Sequence, residues 1–126
     1  MAELNHIIIP ARDKTKSAGF LGGILGVKPG AQWGPFIPVR TSNGVTLDFV
    51  DSNDVRTQHY AFLVDDREFD AGLARLKKNG IKIYAGPHKE GPGEINTHYG
   101  GRGVYFEDPN GHLLELITKP YGEQPT

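Results

Sequence analysis

Four side chains suited to metal ligation recur at matched places along the chain. His6 and His59 each stand third in a short strand-like run, and Asp48 and Glu115 each stand in an alternating apolar run behind an Asn-Gly pair. Two neutral imidazoles and one carboxylate, with coordination positions left open, form the facial set of non-haem iron(II) oxygenases, and zinc, manganese, nickel or cobalt also suit it. A metal so held chelates two adjacent oxygens of a substrate and stabilises the negative charge that develops there. A single strand histidine is ordinarily a hydrogen-bonded core or surface residue. The occurrence of His6 and His59 in phase, together with Glu115, is what marks this trio as the candidate metal ligands.

The elements that must position them form a repeat, which should be sought before local structure. Leu4–Ile9 lines up with Thr57–Phe62, and a helical segment follows each run. Ala18, Leu21, Ile24 and Leu25 recur at helical spacing ahead of a Gly26 stop; Phe69, Leu73 and Leu76 do the same between an Asp65 or Asp66 cap and Gly80. Each glycine leads into a strand-like start, Val27-Lys28 and Ile81-Lys82-Ile83. Asn43-Gly44 and Asn110-Gly111 are hairpin signals before alternating strands. From histidine to glycine stop is 20 residues in the first half and 21 in the second; from stop to hairpin glycine is 18 and 31. The second half therefore carries an insertion, placed within 84–103. The prediction is an α+β fold, strand–helix–strand–strand–strand twice, as a single domain over 1–126 with module one at about 3–52 and module two at about 56–119. Alternation along the last strands sends Leu47, Phe49, Leu114 and Leu116 toward the helices and Asp48 and Glu115 to the opposite, concave face.

Composition narrows the classes. A chain of 126 residues with no cysteine has no disulfide, zinc-thiolate site or thiol nucleophile. Balanced charge, 14 basic against 15 acidic residues, removes the footprint of a nucleic-acid binder. The longest apolar stretch, Ile7-Ile8-Ile9, falls far short of the ~20 residues of a membrane helix. The first residues carry no basic segment and no long apolar one, so no signal peptide and a cytoplasmic location are expected. Seventeen glycines favour strands, turns and loops over a helical bundle.

These residues resemble the vicinal oxygen chelate superfamily: glyoxalase I, fosfomycin-modifying thiol transferases, extradiol dioxygenases, methylmalonyl-CoA epimerases and bleomycin-binding proteins. The resemblance covers about residues 3–119. It implies two βαβββ modules forming a curved, partly open mixed sheet around a metal cleft, with His6, His59 and Glu115 as ligands, and a homodimer in which modules of different chains sometimes share a cleft.

The stretch from Asn96 to Glu115 carries the most specific likeness. His98, Val104-Tyr105, Asp108-Pro109-Asn110-Gly111 and Glu115 are similar in order and spacing to the dioxygenase signature. By that match His98 hydrogen-bonds the substrate or bound oxygen, and Tyr105 orients a substrate oxygen through its hydroxyl. Departures accompany it. Residues 40–58 hold no further histidine to act as acid or base, which leaves Asp48 or His98 to move a proton. Against glyoxalase I, Asp48 stands where a longer ligand is expected. Against the fosfomycin transferases, Ile8 replaces a threonine two residues after His6, and 116–126 offers only Lys119 as a basic residue.

The insertion is rich in glycine and proline, and a connection of this length is often functional. It is expected near the metal mouth, where Arg102 would bind a substrate carboxylate. Trp33 is a candidate apolar wall of the pocket or a packing residue at the module edge. His88 and His112 are expected to face solvent. The resulting expectation is a metal-dependent enzyme on a small oxygen-rich substrate, with Fe(II) and an extradiol-type dioxygenase reaction favoured. A glyoxalase- or epimerase-like lyase or isomerase is the alternative. A metal-free small-molecule binding protein of the bleomycin-resistance kind is the rival from another class.

Overall fold

Strand β1 (His6–Ala11) is rich in β-branched residues and runs parallel to β3 (Thr46–Asp51), which pairs antiparallel with β2 (Phe36–Arg40). The three make one sheet in the order β1-β3-β2. This is the first of two units in the computed structural model, spanning Met1–Arg56; the second begins at Thr57, and the structure describes residues 1–122. Helix α1 (Lys14–Leu25) starts where the Asp13 carboxylate accepts the Lys16 N–H and ends on Gly26, whose φ of 74° is the left-handed geometry glycine tolerates. Its buried Ala18, Leu21 and Ile24 meet a core that includes Ile9, Val39, Leu47 and Phe49.

The second unit repeats the scheme. Strand β4 (His59–Leu63) pairs parallel with β7 (Leu113–Ile117); β6 (Gly103–Glu107) and the two-residue β5 (Ile83–Tyr84) complete a sheet ordered β4-β7-β6-β5. Helix α2 (Asp66–Lys78) carries a full capping box between Asp65 and Glu68, with acidic residues in its first turn and basic residues in its last, both complementing the helix dipole. Phe69 and Leu76 on α2 are fully buried, as are Val104, Phe106 and Leu116 of the sheet. Among the described residues no helix is long and apolar enough to cross a membrane.

The α+β class and the paired βαβ-type modules are as the sequence predicts. One element differs: Val27-Lys28 is not a strand. Pro29 has no N–H to give a ladder, and what remains is one hydrogen bond from Gly30 N–H to the Pro38 carbonyl at 2.9 Å. Ile81 and Lys82 likewise lie outside the short β5.

The turn out of α1 is tightly built. A Cβ added at Gly22 would stand 2.4 Å from the Val27 carbonyl oxygen and 3.1 Å from Pro29 Cδ. Gly22→Ala is therefore expected to destabilise the fold by about 1–3 kcal/mol, read as a lower urea midpoint at unchanged slope.

Candidate functional site

Register brings the second unit's predicted residues onto one face. His59 pairs with Leu113, Ala61 with Glu115, and Tyr105 stands opposite Glu115. Alternation then puts His59, Glu115 and Tyr105 side by side on the face away from α2. His59 Nε2 lies 3.0 Å from Glu115 Oε1, and its Nδ1 lies 3.0 Å from the Leu113 carbonyl. The Tyr105 ring stacks on the imidazole at 6.1 Å between centroids.

These contacts define the chemistry of the donor set. Only Nδ1–H can serve the Leu113 carbonyl, so Nε2 and Glu115 Oε1 face each other across a position that a shared cation, proton or metal, stabilises. Glu115 is 1% exposed while the His59 side chain is 45% exposed, so the carboxylate is deep and the imidazole opens to solvent. A buried carboxylate is costly unless paired and hydrogen-bonded. The second oxygen, Oε2, accepts a short hydrogen bond from the Tyr121 hydroxyl, which lies 2.8 Å from the Tyr105 hydroxyl. Burial, followed by the hydrogen bond to Glu115, pushes the Tyr121 phenol well above the ordinary tyrosine range. Burial also raises Tyr105, with the nearby Glu115 charge adding to it. Both remain hydroxyl donors at neutral pH.

Tyr121 was missed by sequence reasoning. Its only signal there is an aromatic residue shortly after Glu115, in a segment with no strand or helix pattern. It packs at 5.4 Å from the ring of Tyr99, which His98 meets edge-on at 6.4 Å. His98 thus reaches the carboxylate's surroundings through two tyrosines, from the short turn His98–Gly100 where Tyr99 holds a positive φ of 56°.

In the first unit, His6 is exposed on β1 with Nδ1 2.8 Å from the Asn5 side-chain oxygen, which commits Nδ1 and leaves Nε2. His6, Trp33, Pro38, Arg40, Thr46 and Asp48 line an open pocket of about 420 Å³. Asp48 is 3% exposed, and its Oδ1 has no hydrogen-bond partner. An unsatisfied buried acceptor costs about 1–3 kcal/mol. Trp33 is exposed and tilts on Phe36 at 5.0 Å, so it is both packed against its neighbour and part of the pocket wall. Within neither unit, among the described residues, are three His, Asp or Glu side chains gathered as a metal cluster.

One expectation is corrected, that for His112, and Arg102 is found engaged with α2. Arg102, expected to bind substrate, is held by α2: Nη1 bonds Asp70 at 2.7 Å, Nη2 bonds Asp66 at 3.1 Å, and the guanidinium lies 4.5 Å from the centre of the Phe69 ring. Two carboxylates and an aromatic face satisfy it, so it staples the insertion to the helix. His112, expected in solvent, is fully buried, and its Nδ1 accepts the Gln58 N–H at 3.0 Å.

Residues 3–116 match the family model of the Glyoxalase/Bleomycin resistance protein/Dioxygenase superfamily. The chain is 30% identical over 123 residues to the glutathione transferase FosA of Serratia marcescens, covering 92% of this chain and 80% of that protein. It is 32% identical over 77 residues to the metallothiol transferase FosB of Shouchella clausii, covering 60% of this chain and 49% of that protein. Among solved structures it is similar to the oxidase ChaP-H2, with 52% identity, a TM-score of 0.94 and 97% of each chain covered. The oxidase ChaP-H1 is similar at 50% identity and a TM-score of 0.94, covering 98% of this chain and all of that one.

Proposed function

The chain belongs to the Glyoxalase/Bleomycin resistance protein/Dioxygenase superfamily, and from that premise we propose that it is a metal-dependent oxidoreductase consuming oxygen, of oxidase or dioxygenase type, on a small oxygen-rich substrate. The observation that carries the metal is the His59 Nε2 to Glu115 Oε1 approach of 3.0 Å, with Nδ1 already committed to a backbone carbonyl. His59 and Glu115 would hold a divalent ion, Fe(II) foremost, with His6 as the further ligand that the family resemblance implies. When bound, that ion supplies chelation of adjacent substrate oxygens and stabilises negative charge developing on them.

The chain's own residues do the remaining work. Tyr121 fixes the Glu115 carboxylate by donating to Oε2, and Tyr105, kept protonated by burial, orients a substrate oxygen. Asp48 and His98 are the groups left to carry a proton. Arg102 has no part in this reading. The oxidase type is supported by identity above 50% over nearly the whole chain with one solved oxidase, against 30% with the thiol transferase FosA.

The transferase reading is the second one, and the FosA similarity favours it. Ile8 and the lack of a basic residue besides Lys119 after Glu115 weigh against it. Elemental analysis of protein prepared without oxygen, followed by oxygen uptake with catechols, separates the readings. Near one iron per chain with substrate-dependent uptake is expected. Metal without uptake would turn the assignment to transfer or isomerase chemistry, and no metal after reconstitution would leave a binding protein.

A further inference from the structure

Tyrosines join the second unit's site to the surface. Tyr105 is 6% exposed, and its ring stacks on His59 with 6.1 Å between centroids. Its hydroxyl stands 2.8 Å from that of Tyr121, which donates to Glu115 Oε2. A phenol carries one proton, so Tyr121 gives its own to Glu115 and accepts that of Tyr105. The Tyr121 ring lies 5.4 Å from the ring of Tyr99, which is 58% exposed. Orienting a substrate accounts for Tyr105, and fixing Glu115 accounts for the Tyr121 hydroxyl. Neither accounts for Tyr99, whose ring meets Tyr121 from a backbone at a positive φ of 56°. That geometry is unfavourable for a bulky side chain, so its surroundings maintain it, and such outliers gather where a protein has a use for them.

We propose that Tyr105, Tyr121 and Tyr99 form a redox relay between the metal site and the surface, with Tyr99 as its exit and as a site of oxidative modification. The relay rests on the oxygen-consuming reading above, which supplies the oxidant: hydrogen peroxide, formed when oxygen is reduced without substrate. Peroxide accepts hydrogen atoms one at a time and ends as water. Tyr105 gives up the first from its hydroxyl and becomes a phenoxyl radical. That radical takes the hydroxyl hydrogen of Tyr121 across the 2.8 Å contact, so one O–H bond forms as the other breaks. Tyr99 then passes an electron to Tyr121 through the adjoining rings and its proton to water, while Tyr121, 45% exposed, regains a proton from water. The Tyr99 phenoxyl ends by taking a hydrogen atom from a thiol in solution, or by coupling with a second phenoxyl to give a dityrosine.

The test has a metal-free arm and an iron-loaded arm, both on the full chain. In the first, metal is chelated away and a photogenerated ruthenium(III) tris-bipyridine complex serves as a bulky outside oxidant. It reaches Tyr99 and Tyr121 directly, and the buried Tyr105 only through the relay run inward. Peptide mass mapping is expected to find Tyr105 oxidised more than Tyr60, which is the more exposed but lies outside the chain of tyrosines. Tyr121→Phe removes the hydroxyl link and should spare Tyr105 while Tyr99 is still oxidised. In the second arm, the iron-loaded chain receives hydrogen peroxide without substrate. Dityrosine emission and oxidised Tyr99 peptides are expected. Tyr99→Phe should lose both, with oxidation moved to His59 and iron released several-fold faster.

Tyr105 left intact in the metal-free parent, or oxidised equally in Tyr121→Phe, would overturn the relay. Tyr99 unmodified in the iron-loaded chain would overturn it too, as would iron held equally long by Tyr99→Phe and the parent. If Tyr121→Phe does not fold, the comparison of Tyr105 with Tyr60 in the parent still decides. A chain that holds iron and consumes oxygen with substrate, yet spares Tyr105, would sink the relay alone. Oxidation of Tyr105 through Tyr121 in a chain that takes up no metal would support the relay and sink the oxidase reading.

Discussion

Replacing His59 with alanine is expected to abolish metal retention while leaving helix and sheet content unchanged. The two halves of that result have separate causes. His59 is half exposed at the end of β4, so its removal opens no large cavity, and the cost to the fold is that of Glu115 Oε1 losing its partner, about 1–3 kcal/mol. Its Nε2, however, is the nitrogen that meets Glu115 Oε1 at 3.0 Å, and without it the second unit's sheet offers only the buried carboxylate bonded to Tyr121. Glu115→Gln is the companion variant: it keeps the shape and a hydrogen-bond acceptor for Tyr121 while removing the charge that a divalent ion needs. Metal per chain after gel filtration is the measurement, with circular dichroism as the check on folding. Iron content equal to the parent's in His59→Ala would remove the site from the second unit's sheet.

Much of this arrangement was legible because its signals are local. Asp65, one of the two caps expected for α2, caps it in the way its short carboxylate allows, and Gly44 and Gly111 hold φ of 84° and 88° in the turns predicted for the Asn-Gly pairs. The phase of His59 against Glu115 follows from strand alternation once both strands are recognised. What was not legible depends on contacts made far along the chain. Arg102 looks like a binding residue in a glycine-rich loop until α2 brings Asp66 and Asp70 to it from more than thirty positions earlier. Tyr121 follows the last strand without any pattern of its own, and only the fold shows that it bonds the key carboxylate. The orphan oxygen of Asp48 cannot be read from sequence at all, since an unmet hydrogen bond is a property of neighbours.

His112 gives the sharpest case, because sequence and structure make opposite forecasts for one substitution. A solvent-facing histidine replaced by alanine changes stability by about 0.5 kcal/mol or less. The ring is instead fully buried in the turn between β6 and β7, edge-on to Tyr60 at 5.7 Å, with Nδ1 accepting the Gln58 N–H. Asp108 Oδ1 holds the same turn by accepting the His112 and Asn110 backbone N–H groups. His112→Ala removes a buried ring and the acceptor of the part-buried Gln58 N–H, so a loss of roughly 3–5 kcal/mol is expected, comparable to truncating a buried aromatic side chain. That is a large share of the stability of a small protein. His112→Asn keeps an acceptor where Nδ1 stood and should recover part of the loss. Urea unfolding of the two variants decides it, and equal stabilities for both would show that the Gln58 bond contributes nothing. The same bond anchors the residue directly before His59, so the asparagine variant should also hold metal better than the alanine one at a urea concentration where both remain folded.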